Sequence, residues 1–565
     1  MRERVGFNEP GQSGTIRAGE AAVRLLRDRG VRYAFGVPGE SFLGLLDAIA
    51  VTPGIQLIAT RHEGGAAFMA DAAGKLTGVP AICMGTRGVG SANLVIGIHT
   101  AYQDSTPLLA LVGQVETEFR HREALQEVEL APFLGEITKW AVEAPNGARL
   151  PEIIAEAYRR SVTGRPGPVA VALRGDILDE PVADESIPGT ALPVSGMRPA
   201  DAEAIVTLLA GARAPLIIAG GGVLRARATA RLAELAERLA TPVMTAFRRN
   251  DAFPNGHPLY LGSLTFSAQA SVAERARAAD VVLAIGTRLS EVTTLGYTIP
   301  ATDARLIHID IAPEVLGRSF PARLAVVADA AEAIGALLDV PPREPSPERV
   351  AANAADRAAY VAGSTPPASG VAELVDPARV IAELQGQLPP EAILTGDAGN
   401  FWGWIARYYR FTRPGTFLGP TSGAMGYAVP AAVAAALVTE NRVPVVALAG
   451  DGGFLMTGSE LAVAAQLALK VICVVFDNAQ YGTIRLHQER AYPGRIAGTE
   501  LWSPDFVRYA EAFGGIGIRV ERDEEIAEAL ATALAHPGIA LLSIAVARDT
   551  IGVETTLASL AQGSG

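Results

Sequence analysis

Between Val443 and Asn478 the chain reads as an apolar run, a helical stretch and a second apolar run, and both runs end in polar residues at the same relative place. "VPVVALA" (Val443 to Ala449) and "KVICVVF" (Lys470 to Phe476) are unbroken and rich in Val and Ile. A strand with one wet face alternates apolar and polar residues; a strand buried on both faces of a parallel sheet does not. "GSELAVAAQLAL" between them has helical spacing. Strand, helix, strand is a crossover unit, so both strands point the same way and end at one sheet edge. Ligands of open α/β sheets sit at that edge. The first run ends in Gly450–Asp451–Gly452–Gly453 and the second in Asp477–Asn478, so Asp451 and Asn478 are expected to converge. The glycines allow close backbone approach and expose N–H groups where a helix starts, which suits a diphosphate. A carboxylate, an amide and phosphate oxygens make the hard, oxygen-only site that Mg²⁺ prefers. Taken singly, the two pieces also read as a turn and a helix cap. Their pairing is what points to a ligand.

The same alternation of strands and amphipathic helices runs almost throughout, predicting an α/β chain of three consecutive parallel-sheet domains. At 565 residues the chain is too long for one core. The expected domains are 12–185, 198–340 and 376–550, joined by "EPVADESIPGTALPVSGMRPA" and by "VPPREPSPERVAANAADRAAYVAGSTPPASG", whose ends are rich in Pro and Gly. A net charge of −12 argues against nucleic acid as a partner, which needs basic surface. Cys83 and Cys473 lie in apolar runs and read as buried thiols of a reducing compartment. "MRERVGFNEPGQSG" has no apolar signal-peptide core, and the apolar stretch around "AVPAAVAAALV" is too short to span a membrane. A cytoplasmic enzyme is the expectation.

The Asp451–Asn478 pairing resembles the diphosphate- and metal-binding motif of thiamine diphosphate (ThDP) enzymes. The chain resembles their acetolactate synthase and pyruvate oxidase branch over nearly its whole length. "RHEGGAAFMADAAGKLTG", "DSTPLLALVGQV", "ITKW", "GRPGPVAVAL", "SGAMGYAVPAA" and "DNAQYGTIR" stand in the expected order. The resemblance implies that Asp451, Asn478 and the backbone carbonyl of Gln480 ligate Mg²⁺. It implies that the backbone of Gly450, Gly452, Gly453 and Phe454, the Gly399–Asn400 turn and Tyr481 hold the cofactor. Asp477 replaces the first Asn of the usual Asn-Asn pair, a position that is not a metal ligand. Gly423 would offer its carbonyl to the 4′-amino group, and Met425 would bend the cofactor into its V shape. Glu63 would bond the pyrimidine N1′. A proton shared there favours the tautomer whose 4′-nitrogen takes the thiazolium C2 proton.

The resemblance points to decarboxylation of a 2-oxo acid, pyruvate first, and ligation of the two-carbon unit to a second carbonyl. Gln114, Gln126, Glu127 and Lys139 match the substrate side of acetolactate synthases, with Leu125 where that branch has Phe. The adjacent-His pair of yeast-type decarboxylases is missing, since His62, His99, His121, His257, His308, His487 and His536 are all isolated. Release of free aldehyde stays as an alternative because Glu40 stands where synthases have a small residue and decarboxylases an acid. "GNFWGWIARYY" is more aromatic than a synthase segment, and His487 is a candidate to line the acceptor pocket. FAD, which biosynthetic acetolactate synthases hold in the middle domain, is left open: the general outline is kept, but "LGSLTF" replaces a Gly-rich segment and "FRRNDAFPNGHP" is unusually basic. A non-catalytic nucleotide-binding subunit is the reading of another class. Glu63, Asp451 and Asn478 together weigh against it. The resemblance also implies a homodimer or homotetramer with active sites shared between subunits.

Overall fold

The computed structural model describes residues 14–341, 343–367 and 374–562. The expected start of the first domain at residue 12, most of the N-terminal segment read for a signal peptide, and residues 342 and 368–370 of the second linker lie outside the described residues. By contact the chain forms two compact units. One runs up to Gly74 with Val79–Tyr102 and Thr106–Leu192; the other holds Lys75–Gly78, Gln103–Ser105 and the chain from Pro193 onward.

The first unit carries a six-stranded parallel sheet of β1 (Tyr33–Gly36), β2 (Gln56–Ala59), β3 (Ala81–Thr86), β4 (Leu108–Gln114), β5 (Trp140–Glu143) and β6 (Pro168–Arg174), in the order β2-β1-β3-β4-β6-β5. The second unit holds two more such sheets. In the middle of the sequence lie β7 (Pro215–Ala219), β8 (Val243–Thr245), β9 (Tyr260–Ser263), β10 (Val281–Ile285), β11 (Arg305–Asp310) and β12 (Leu324–Val327), ordered β9-β8-β7-β10-β11-β12. Towards the C-terminus come β13 (Ile393–Gly396), β14 (Phe417–Leu418), β15 (Val445–Gly450), β16 (Ile472–Asp477), β17 (Ile516–Val520) and β18 (Ala540–Ala545), ordered β14-β13-β15-β16-β18-β17. The first and third sheets therefore share one winding. The middle sheet has the strand order of dinucleotide-binding folds.

The unbroken apolar runs are central strands: every residue of β10, and Val445 to Ala449 of β15, is buried, as strands covered on both faces must be. Each sheet has its own apolar cluster. The second linker holds more structure than its Pro-rich ends suggest. Pro347–Gly363 is a helix capped by the Ser346 hydroxyl, and it buries Arg349, Asn353 and Tyr360. Its Arg349 reaches the carbonyls of Ala210, Ala212 and Leu239. Cys83 and Cys473 are buried free thiols, and burial pushes both up. Among the described residues no helix is long and apolar enough to cross a membrane.

Candidate active site

β15 and β16 pair in register, Val446 opposite Ile472 and Gly450 opposite Phe476, so the residues that follow each strand leave the same edge. A cavity of about 250 Å³ opens there. Gly399, Asn400, Gly423, Met425, Gly450, Asp451, Gly452, Gly453, Asn478, Gln480 and Tyr481 all line it. Of the C-terminal residues expected to bind cofactor or metal, only Phe454 is not in the lining. It heads into the core, edge-on to Phe506 and Tyr509, with its backbone in the helix Asp451–Thr457.

Local chemistry explains the glycines. A Cβ on Gly452 would lie 2.4 Å from the Tyr481 ring, and one on Gly453 would lie 2.4 Å from Asp397 Oδ2. These positions are bare because side chains of the fold already press on them, as well as being open to a ligand. Gly423 (φ +70°) and Gly426 (φ +82°) take left-handed backbone that other residues avoid.

Asp451 is buried, and its Oδ1 accepts from the Gly452 amide at 2.8 Å. Ser503 Oγ lies 2.8 Å from Asp477 Oδ1 and 3.3 Å from Asp451 Oδ2, and its single proton serves one of them. Burial raises the Asp451 pKa; the Gly452 amide opposes this and the nearby Asp477 adds to it. A buried carboxylate beside a second acid is a site that a cation stabilises. Asn478 and Gln480 flank it, and the Gln480 carbonyl accepts from the Gly482 amide at 2.9 Å. Among the described residues no three His, Cys, Asp or Glu side chains cluster as a metal site. The donor set is of another type, one carboxylate with amide and carbonyl oxygens, and it fits Mg²⁺ when phosphate oxygens complete the shell. Asn400 turns its side chain to Thr483 Oγ1 (2.8 Å) and to the Ile551 carbonyl (2.5 Å), leaving its backbone at the cavity wall. Phe401 and Trp404 of the aromatic segment line the cavity, while Trp402 stacks on Phe417 instead. His487 is exposed on the helix Gly482–Ala491 and is not in the lining, which takes Gly482, Thr483 and Ile484 from that helix.

In the first unit, Glu63 opens the helix Glu63–Thr77, and its Oε2 accepts from Asn93 Nδ2 at 2.9 Å. A Cβ on Gly90 would lie 3.3 Å from Glu63 Oε1, so a bare residue adjoins the carboxylate. Glu40 is 66% exposed at its side chain and sits 3.5 Å from Arg87 Nη1. Gln114 ends β4 fully buried, its amide nitrogen on the Val128 carbonyl and its oxygen on the Val115 amide, both at 2.8 Å. It ties a strand end to the 125–130 segment. Glu127 likewise serves its own loop: its carboxylate accepts from the His121 and Ala124 amides and from Arg120. Lys139 caps carbonyls of Arg160 and Thr163 at the end of the helix Leu150–Val162, where a cation is favoured. These three therefore have structural partners that the sequence did not reveal. Asp397 and Ser503 carry no expectation from the sequence, and Arg248 enters there only as part of the basic stretch "FRRNDAFPNGHP"; Asp397 does have a sequence signal, an acid after a strand in "LTGDAGN", like Asp451 after β15.

At the switch point of the middle sheet, the loops after β7 and β10 close on each other. The Gly222 amide donates to the Gly286 carbonyl at 2.9 Å, and a Cβ on Gly220 would lie 2.2 Å from that oxygen. A Cβ on Gly221 would meet Arg249 Nε at 2.9 Å. The glycines are taken up by loop-to-loop packing and by an arginine at the switch point of the sheet.

Three family models match in succession: the thiamine pyrophosphate enzyme N-terminal TPP binding domain at residues 16–132, the central domain at 202–337 and the C-terminal TPP binding domain at 397–544. The chain is 32% identical to the acetolactate synthase of Mycobacterium bovis over 90% of this chain and 85% of the relative. It is 31% identical to the acetolactate synthase large subunit of Corynebacterium glutamicum, over 90% and 83%. The acetolactate synthase isozyme 3 large subunit of Escherichia coli is also 31% identical, over 91% of this chain and 92% of its own. With these matches over most of its length and the motif residues gathered at one sheet edge, the chain belongs to the thiamine pyrophosphate enzymes, among relatives named acetolactate synthase.

Proposed function

We propose that this protein is a ThDP- and Mg²⁺-dependent carboligase of the acetolactate synthase type. It decarboxylates a 2-oxo acid, pyruvate first, and joins the two-carbon unit to a second carbonyl. The observation that carries the reading is the cavity in which Asp451, Asn478, Gln480, Gly423 and Met425 face one another. Asp451, Asn478 and the Gln480 carbonyl would hold Mg²⁺. The backbone of Gly399, Asn400, Gly450, Gly452, Gly453 and Phe454, with Tyr481, would hold the diphosphate end. Gly423 and Met425 would receive the aminopyrimidine, and Glu63 would bond its N1′. When bound, the cofactor would supply a carbanion, formed by loss of the C2 proton, to add to the 2-oxo carbonyl, and an electron sink for the pair left behind as CO2 departs.

The chain's own residues do the rest. Glu63, steadied by Asn93, holds a proton at the ring nitrogen. The apolar walls of Phe401, Trp404, Phe476 and Ile551 exclude water, which favours attack on a second carbonyl over protonation. Gln114 acts through the segment it ties down. Glu40, an exposed carboxyl beside Arg87, keeps a second outcome open, since an acid that protonates the two-carbon unit releases aldehyde. No flavin step is assigned, and turnover is expected without added FAD. The functional unit is proposed to be a homodimer or a homotetramer of the cytoplasm. The test is incubation with ThDP, Mg²⁺ and a panel of 2-oxo acids, with products identified by mass spectrometry. Acetolactate from pyruvate supports the reading, whereas acetaldehyde alone replaces it by simple decarboxylation.

A further inference from the structure

Two buried carboxylates of the second unit stand outside the proposed metal site. The side chain of Asp104 is wholly buried, and Asp397 is 0% exposed. Both fasten one short segment, residues 420–427, which carries Gly423 and Met425. Asp104 Oδ1 accepts from the Thr421 amide at 3.0 Å and its hydroxyl at 2.6 Å. Asp397 Oδ2 accepts from the Gly426 amide at 2.9 Å, and its Oδ1 from the amides of Tyr427 (3.2 Å) and Ala398 (2.9 Å). The segment is thus held before Gly423 and after Met425.

A pair of consecutive arginines serves the two acids. Arg249 Nη2 bonds Asp104 Oδ1 at 2.7 Å, and Lys75 Nζ bonds Asp104 Oδ2 at 2.5 Å while reaching Tyr427 Oη at 3.1 Å. Arg248 donates to the carbonyls of Gly396 (3.2 Å) and Asp397 (2.8 Å) and lies 4.9 Å over the Trp402 ring. This is the unusually basic stretch of the middle domain. Its charges turn inward, where buried carboxylates require them. Burial pushes Asp397 up to about 6 and Arg248 down to about 10, and the charge of each favours the ionised form of the other. Burial also works against ionisation of Asp104, but Lys75 and Arg249 more than offset it.

Asp397 touches the opposite cavity wall as well, since its Oδ2 is the atom a Cβ on Gly453 would strike. One carboxylate thereby spaces the Met425 segment from the start of the Gly452–Gly453 helix. The geometry points to Asp397 as a positioning residue that, with Asp104 and the Arg248–Arg249 pair, sets the separation of these walls and hence the pose in which the cofactor loses its C2 proton. The inference rests on the ThDP reading of the site.

Asp397→Asn is the sharp test, because an amide keeps the shape but turns an N–H towards an N–H at one of the two oxygen positions. Three readouts are taken: melting temperature, ThDP affinity with Mg²⁺ by calorimetry, and hydrogen–deuterium exchange at C2 of bound ThDP under saturation. Misplacement should slow exchange by about 10- to 100-fold, the loss expected for a bond to a charged group. A residue that only supports the fold would lower the melting temperature and leave the exchange of bound cofactor at the wild-type rate, which overturns the inference. Thr421→Val, which trims the other anchor, should slow exchange by a few-fold, about 3- to 10-fold. If Asp397→Asn does not fold, Thr421→Val decides alone, with slowed exchange in support and the wild-type rate against. A wild-type protein that binds no ThDP overturns the cofactor reading itself, and this inference with it.

Discussion

The carboxylate of Asp451 lies beside a second acid, with one serine hydroxyl between them. Burial of this kind is costly unless a cation compensates. Asp451→Ala should therefore abolish the Mg²⁺ dependence of ThDP binding, read by calorimetry with and without the metal; equal Mg²⁺ dependence in the mutant would remove Asp451 from the metal site. Glu63 supplies a different kind of contribution, since a carboxyl can share a proton with a ring nitrogen and an amide cannot. Glu63→Gln should preserve most cofactor affinity while slowing C2 hydrogen–deuterium exchange by about 10²-fold or more, the range of general acid–base effects. Exchange at the wild-type rate would end that assignment.

Two elements that join the sheets of the second unit show how polar groups hold this chain together. The helix Pro347–Gly363 caps carbonyl groups of the middle sheet's surroundings through Arg349 and Asn353, and Tyr360 fills the space above Gly262. Arg349→Ala would strand the Ala210, Ala212 and Leu239 carbonyls and should cost about 2–4 kcal/mol in chemical denaturation, as expected for buried bonds to a charged donor. Asp251, on the short turn Asn250–Ala252, accepts from the Gly415 and Thr416 amides and so supports β14 at the sheet edge. Burial pushes its carboxyl from 3.8 up to about 6. The folded state then binds this proton more tightly than the unfolded chain. Its contribution to stability is fully present below about pH 4 and is lost as pH rises through about 6. Denaturation midpoints measured across that window should show a slope from this group that Asp251→Asn removes.

At the scale of the whole molecule, the proposed reaction needs Glu63 and Asp451 in one site. The ThDP reading assigns them to different subunits of a two-fold dimer. Glu63→Ala and Asp451→Ala homodimers should both be inactive. A mixed dimer of the two would carry both lesions in one site and neither in the other, so co-expression should restore up to about one intact site per mixed dimer. If both residues served a site within one chain, every site of the mixed dimer would be damaged. Inactivity in mixed dimers shown to have formed would exclude the shared site.

Sequence alone determined the parallel α/β class of the three domains and the convergence of Asp451 with Asn478. Strand and helix periodicities are local, and a parallel crossover forces both strand ends to one edge. It also identified the glycines and Met425 of the cavity, because motif order travels with the chain. What only the tertiary structure decided is which distant groups partner the buried polar residues. Gln114, Glu127 and Lys139, matched to the substrate side by resemblance, are each also engaged by carbonyls, amides or an arginine brought close by folding. Arg248 and Arg249 stood out only as part of an unusually basic stretch, and both turn inward, to partners 149 and 145 residues away in sequence. A side chain's partner at that distance is set by how the sheets pack, and no periodicity within a single segment encodes it.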